Sequence, residues 1–338
     1  MTDPVAVEVL RGGRVESVHR VAACLVDVRG RVLLTVGDVE RPIFPRSAIK
    51  PIQAVPLVES GAAEAFAVTP AELALACSSH NGETAQTATV RAWLERIGLA
   101  PADLACGGHW PTDPETAHAL SRAGETPDRA CDNCSGKHTG MLATARHLGE
   151  PSKGYEQPDH PVQRRIAAAL AEMAERDALT NPAIDGCSAP NWALPLAALA
   201  LAFARFGAPD TLAPERAAAC RRVAAAMIAH PENVAGRGRL CTALMRAAPH
   251  LLVKTGAEGV FAGAWPERRL GFALKVEDGA GRAAEVALLA LLRHLGALDE
   301  PTQATLAAFG EPETRSRAGA HVGLIRARAA DWLGDARL

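Results

Sequence analysis

Strand-forming sequence lies near the two ends of this chain, and a long, mostly helical stretch separates them. Residues 5–10 and then VHRVAACLVDVRGRVLLTVGD (18–38) set β-branched residues against polar ones around a short Arg-Gly connection, the pattern of an antiparallel hairpin. After FPRS the character changes. From about residue 47 to 229 the sequence reads as helices broken by Gly/Pro/Asp clusters. ETAQTATVRAWLERIG (83–98) puts Val90, Trp93, Leu94 and Ile97 on one face, and further helices are expected at 161–176, 191–206 and 213–229. Strand character returns in PHLLVKTG (249–256), EGVFAGAW (258–265) and LGFALKVE (270–277). A helix over 281–295 follows, and 303–336 is mixed, with one more helix expected. Neither terminal region can bury a sheet face alone. The economical solution joins both in one antiparallel sheet flanked by helices, an α+β fold with an adjoining mainly helical lobe. We expect a single domain over 1–338. Its sheet-containing lobe is 1–46 plus 245–338, and its mainly helical region is 47–244.

Composition excludes several kinds of partner. Of 338 residues 48% are hydrophobic and 22% charged, and the formal net charge is −2, so no basic stripe is available for a phosphate backbone and nucleic acid is not an expected partner. The most apolar segment, ALPLAALALAFA (193–204), is too short to cross a bilayer and reads as a buried helix. MTDPVAVEVLRGGR lacks the basic start and apolar core of a secretory signal, so a cytoplasmic location with no membrane partner is expected. The eight cysteines are then thiols or ligands rather than disulfides, and Cys24, Cys220 and Cys241, among small apolar residues, read as core filling. The single tyrosine, Tyr155, lies in the polar loop SKGYEQPDHP (152–161), which is expected to carry it to the surface or a pocket rim.

Three short motifs occur in an order with chemical meaning. FPRSAIKPIQ spaces Ser47 and Lys50 three residues apart, on one face of any helix that begins there. A serine hydroxyl is a poor nucleophile until a neighbour takes its proton, and a lysine does so when burial or nearby positive charge, such as Arg46, lowers its pKa. CSSHNGE (77–83) adds Ser79 and Asn81 in a glycine-bearing turn, and VKTG (253–256) puts Lys254 at the end of an apolar strand. SxxK, SxN and KTG in this order are the trio of the serine-acylating penicillin-recognising enzymes. Each motif also has a plain structural reading, as a helix cap, a turn or an exposed strand end.

CDNCSGKHTG (131–140) contains the chain's one CxxC, with no second pair to complete a structural zinc site and no βαβ context for a redox pair. Cys134 with the distant Cys187 of AIDGCSAPNW would instead offer two soft ligands suited to zinc. Lys137 and His138 both follow closely, and bare chemistry favours His138 as the third ligand over Lys137. Asp185 either caps its turn or receives a ligand's ammonium group, for which Arg46 would hold the carboxylate.

Together, FPRSAIKPIQAVP (44–56), CSSHNGE (77–83), CDNCSGKHTGML (131–142), IDGCSAPNWALPL (184–196) and VKTGAEGV (253–260) resemble the rhizobial-type asparaginase II family. The resemblance implies a serine β-lactamase/glutaminase-like fold, a homodimer, and hydrolysis of L-asparagine to L-aspartate and ammonia. It implies two serine–lysine pairs, Ser47 with Lys50 and Ser79 with Lys254, and one zinc ion held by Cys134, Lys137 and Cys187, so that His138 becomes a neighbour of the site rather than a ligand. Arg46 and Asp185 are the implied substrate contacts, and Asn81, which could donate to a substrate carbonyl, and His138 are expected to bind substrate beside them. Competing readings are a glutaminase or broader amidase, a zinc-hydroxide amidohydrolase, and a zinc-stabilised amino-acid-binding protein without turnover.

Overall fold

The computed structural model describes residues 2–334. Its strands in chain order are β1 (Val5–Arg11), β2 (Arg14–Asp27), β3 (Val32–Val36), β4 (Pro42–Ile43), β5 (Ala183–Ile184), β6 (Pro190–Asn191), β7 (Leu194–Pro195), β8 (Leu252–Gly256), β9 (Val260–Trp265), β10 (Leu270–Val276), β11 (Glu313–Arg315) and β12 (His321–Ala327). Both terminal regions do join one antiparallel sheet, in the order β11-β12-β1-β2-β10-β9-β8 with β3 also on β2. The 14-residue β2 makes this possible: its first half pairs with β1, and its second half lies between β10 and β3. Val21 to Val26 are consequently buried on both faces of the sheet, which is why alternation fades there into a continuous apolar run.

The chain divides into two compact units. One comprises 1–48, 194–204 and 243–338, and the other 49–193 and 205–242. Residues 194–204 fall with the sheet rather than with the helices. The reason is local packing. A Cβ on Gly271 of β10 would stand 2.0 Å from Ala200 O, so the small-residue helix over this segment rests directly on the strand. The helix Gly281–His294 also packs on β1, β9, β10 and β12. Two further differences concern ends. The expected helix 191–206 starts only at Leu196, because Pro190–Asn191 and Leu194–Pro195 pair with β5 and β4. The mixed region 303–336 yields β11 and β12, and HVGLIRA (321–327) finds its partner more than 300 residues away at β1.

In the helical unit the helix Ser135–His147 is central, buried from Ser135 through Ala145. It lies against the helices Val55–Glu59, Ala62–Ala65, Pro70–Ala76, Thr84–Arg96 and Pro161–Met173. Such close packing requires small residues. A Cβ on Gly136 would stand 2.3 Å from Leu75 O, and one on Gly140 would touch Leu57, Ala76 and Trp93. The buried start of this helix, with the turn that precedes the helix Thr84–Arg96, carries most of the chemistry-bearing side chains.

Candidate active site

The helical unit assembles a buried cluster around Lys50, the first residue of the helical turn Lys50–Gln53. Its ammonium is 1% exposed and uses its three hydrogens on three partners: Ser78 O at 2.5 Å, Ser79 Oγ at 3.0 Å and Cys134 Sγ at 3.1 Å. The lysine expected to serve Ser47 thus reaches Ser79. Ser79 is held by its own backbone, whose N–H donates to Val234 O at 3.0 Å, at the end of a helix capped by Thr69 and Glu72.

Asn81 occupies the same turn, and its amide is fully engaged with protein. Nδ2 donates to Glu83 Oε1 at 3.2 Å and to Arg237 O at 3.0 Å, while Oδ1 accepts from Thr112 Oγ1 at 3.2 Å and from Arg239 at 3.1 Å. These four bonds tie three loops together, so Asn81 is a joint of the turn, and the substrate-contact expectation has no free hydrogen-bonding capacity to rest on.

Next to Lys50 lies the cysteine pair. Lys137 Nζ lies 3.0 Å from Cys187 Sγ, Cys134 Sγ lies 3.0 Å from Asn133 Oδ1, and the two buried thiols shift each other's ionisation in opposite directions. The bond from Cys134 lowers the Cys187 thiol far below its usual range against the cost of burial, and the Lys137 ammonium adds to the effect. Cys134 is raised correspondingly. Burial alone would lower the Lys137 amine, but the charge of the adjacent cysteines overrides it and the net shift is upward. Cys187 is presented by the β5–β6 hairpin, whose turn is closed by Asp185 N–H to Ala189 O and Ser188 N–H to Asp185 O, both 2.9 Å. Asp185 is half-buried in that turn, accepts from Gly186 N–H, and sends its charge toward Lys137.

Two soft sulfurs and a buried amine in mutual contact fit a zinc ion. Among the described residues no group of three or more His, Cys, Asp or Glu could hold a metal, so a metal here would need Lys137 as a neutral amine. His138 does not point to substrate chemistry. It is wholly buried, and its Nδ1 lies 2.6 Å from Tyr155 OH. The tyrosine oxygen also accepts Ala105 N–H at 2.8 Å, while His138 Nε2 is buried without a hydrogen-bond partner. Tyr155, expected at a surface or rim, is 1% exposed and belongs to this interior chain. Its polar loop context concealed the fact that one aromatic could turn inward.

The sheet unit carries Arg46, Ser47 and Lys254. Arg46 opens the 3₁₀ turn Arg46–Ile49 with φ 52°, the left-handed region that a non-glycine residue enters at a cost. Lys254 is wholly buried in β8 and donates to Thr255 O at 2.9 Å. Its strand end meets the Ser47 turn closely: a Cβ on Gly256 would stand 2.3 Å from Pro45 O and 3.2 Å from Ala48 N. This requires the glycine of KTG. Residues that sequence reasoning left without a role are His80, Ser135, Tyr155 and Arg239. The signal for His80 was its place inside CSSHNGE, while Arg239 gave none.

The chain matches the family L-asparaginase II over residues 7–327. No curated protein was found to match it. Among solved structures, Mglu in its native form aligns at 14% identity and TM-score 0.47, covering 84% of this chain and 66% of that one. This chain therefore spans just under two thirds of the Mglu chain. A beta-lactamase from Mycobacterium bovis aligns at 15% identity and TM-score 0.36, covering 86% of this chain and 95% of that one. Neither structural likeness bears on this chain's chemistry.

Proposed function

Since the chain belongs to the L-asparaginase II family, we propose that it is an amidohydrolase that converts L-asparagine to L-aspartate and ammonia by acyl transfer through serine and lysine. The observation that carries this reading is the buried Lys50 amine 3.0 Å from Ser79 Oγ. In the proposed reaction Lys50, as the free amine, takes the Ser79 proton while the oxygen bonds to the side-chain carbonyl carbon. When the C–N bond breaks, Lys50 returns that proton to the departing nitrogen, so ammonia leaves rather than an amide anion. Water then attacks the β-aspartyl ester, Lys50 accepts its proton, and Ser79 is restored. Asp185 is assigned the substrate's α-ammonium.

Cys134, Lys137 and Cys187 would hold zinc, which when bound supplies a Lewis-acidic centre for orienting the substrate.

Ser47 remains the rival nucleophile, because it lies in the 3₁₀ turn Arg46–Ile49 and Lys50 opens the helical turn that directly follows. Acid quench of the enzyme during asparagine turnover, followed by peptide mass spectrometry, separates the two. The aspartyl adduct is expected on the Ser79 peptide and absent from S79A. An adduct on the Ser47 peptide that persists in S79A would reverse the assignment. Ammonia release from asparagine and glutamine, measured side by side, sets the substrate, since one methylene is worth only ~1–3 kcal/mol of discrimination. The L-asparaginase reading requires the larger kcat/KM for asparagine.

A further inference from the structure

His80 sits between the proposed nucleophile Ser79 and the loop-binding Asn81, yet nothing in the reaction uses it. It is 1% exposed, and both ring nitrogens are occupied. Gly82 N–H donates to Nδ1 at 3.0 Å, which fixes Nδ1 as an acceptor and leaves the proton on Nε2. That proton is directed to Ser135 Oγ at 2.8 Å, and Ser135 passes its own to Ala130 O at 3.0 Å. The His80 backbone N–H reaches the same region, at Asn133 O, 3.2 Å away. The imidazole therefore joins the serine turn to the first residue of the helix Ser135–His147. Lys50 spans these same two elements through Ser79 Oγ and Cys134 Sγ.

We propose that His80, acting through Ser135, is the positioning residue that sets the Ser79 hydroxyl against Lys50. This rests on the Ser79–Lys50 reading above. Lys50 reaches these elements from the end of a four-carbon side chain with several rotatable bonds, whereas a planar ring bonded at both ends fixes the distance between them. The ring must stay neutral for this, because an imidazolium has no acceptor for Gly82. Its surroundings keep it so: burial, then the charges of Lys50 and His109, push its pKa down to about 3. The arrangement is completed by Gly82, whose φ of +76° and close approach to Pro111 and Cys131 O leave no room for a side chain.

The two halves of the ring can be mimicked separately. In H80Q the side-chain amide nitrogen lies near the place of Nε2 and can donate to Ser135. In H80N the amide oxygen lies near the place of Nδ1, accepts Gly82 N–H and falls short of Ser135. The expected result is that H80N and S135A each lower kcat for ammonia release about 10- to 100-fold with KM within twofold of the parent, the scale of a misplaced reacting atom. H80Q recovers to within a few-fold of the parent. Near-ultraviolet circular dichroism checks that each variant is folded, and the rate at which a fluorophosphonate probe labels Ser79 gives a readout independent of the natural substrate. Folded H80N and S135A with parental kcat and parental labelling rate, whatever their melting temperature, overturn the proposal, as does a folded H80Q no better than H80N. If the parent hydrolyses no amide, the proposed function falls, and labelling of Ser79 still decides the positioning role. A parent that neither turns over nor takes label at Ser79 overturns both.

Discussion

Lys50 is the residue on which the site turns, since one ammonium links the proposed nucleophile to the cysteine pair. Arginine at this position keeps the positive charge and hydrogen-bonding capacity but cannot act as a base near neutral pH. K50R should therefore fold and lose at least about a thousandfold in kcat. Turnover within tenfold of the parent would reduce Lys50 to an electrostatic role. The cysteines test a different idea. If the proposed zinc orients substrate, C134S should lose bound metal and raise KM more than it lowers kcat, by elemental analysis and steady-state kinetics. A collapse of kcat at constant KM would remove the orienting role. Y155F withdraws the hydroxyl bonded to His138, the neighbour in sequence of Lys137, and zinc affinity from chelator competition should fall about tenfold. Of these residues SxxK and CxxC marked the positions, but the meeting of Lys50 with Ser79 was not legible, because the two lie 29 residues apart on different elements and only packing brings them together.

At the scale of elements, the joints between segments are made by residues that tolerate no side chain. Gly236 has φ +111°, and a Cβ there would stand 2.4 Å from Asn81 Nδ2 and 2.7 Å from Glu83 Oε1. G236A combines backbone strain with the loss of a buried amide joint, and should cost about 2–4 kcal/mol by urea unfolding. A change under about 0.5 kcal/mol would mean the loop shifts freely and that Asn81 holds nothing. Helix positions were legible where apolar periodicity ran long, as for Thr84–Arg96, Pro161–Met173 and Pro214–Ala229. They were less legible at 190–195, where proline-bearing dipeptides pair with short strands. The strands β11 and β12 escaped notice for a related reason. Half-exposed segments at a sheet margin carry little apolar signal, and pairing with β1 supplies what the sequence lacks.

Over the whole molecule, one contribution to the loss of stability in acid comes from a histidine kept neutral. In the unfolded chain His80 titrates near 6.5, while in the folded protein burial and the facing charges of Lys50 and His109 hold it at about 3. Between these values the unfolded state binds the proton and the folded state does not, so stability is complete above 6.5 and falls as pH drops toward 3. The loss is on the order of a few kcal/mol. Urea midpoints at pH 7, 5 and 4 should decline more steeply for the parent than for H80Q, whose side chain does not titrate, and parallel curves would contradict this. Among the described residues no helix is long and apolar enough to cross a membrane. The implied homodimer stays a proposal, for which sedimentation should give twice the chain mass. The sequence by itself determined the architecture, because β-branched alternation near both ends and helical periodicity between them allow few ways to bury a sheet. It also marked the serines, lysines and cysteines, since their spacings restrict what they can do. Only the tertiary structure decided that Lys50 meets Ser79, that Tyr155 turns inward to His138, that His80 braces a turn, and that 194–204 lies on the sheet. Those outcomes depend on which distant surfaces pack within an ångström or two of each other, and local sequence carries no record of such distances.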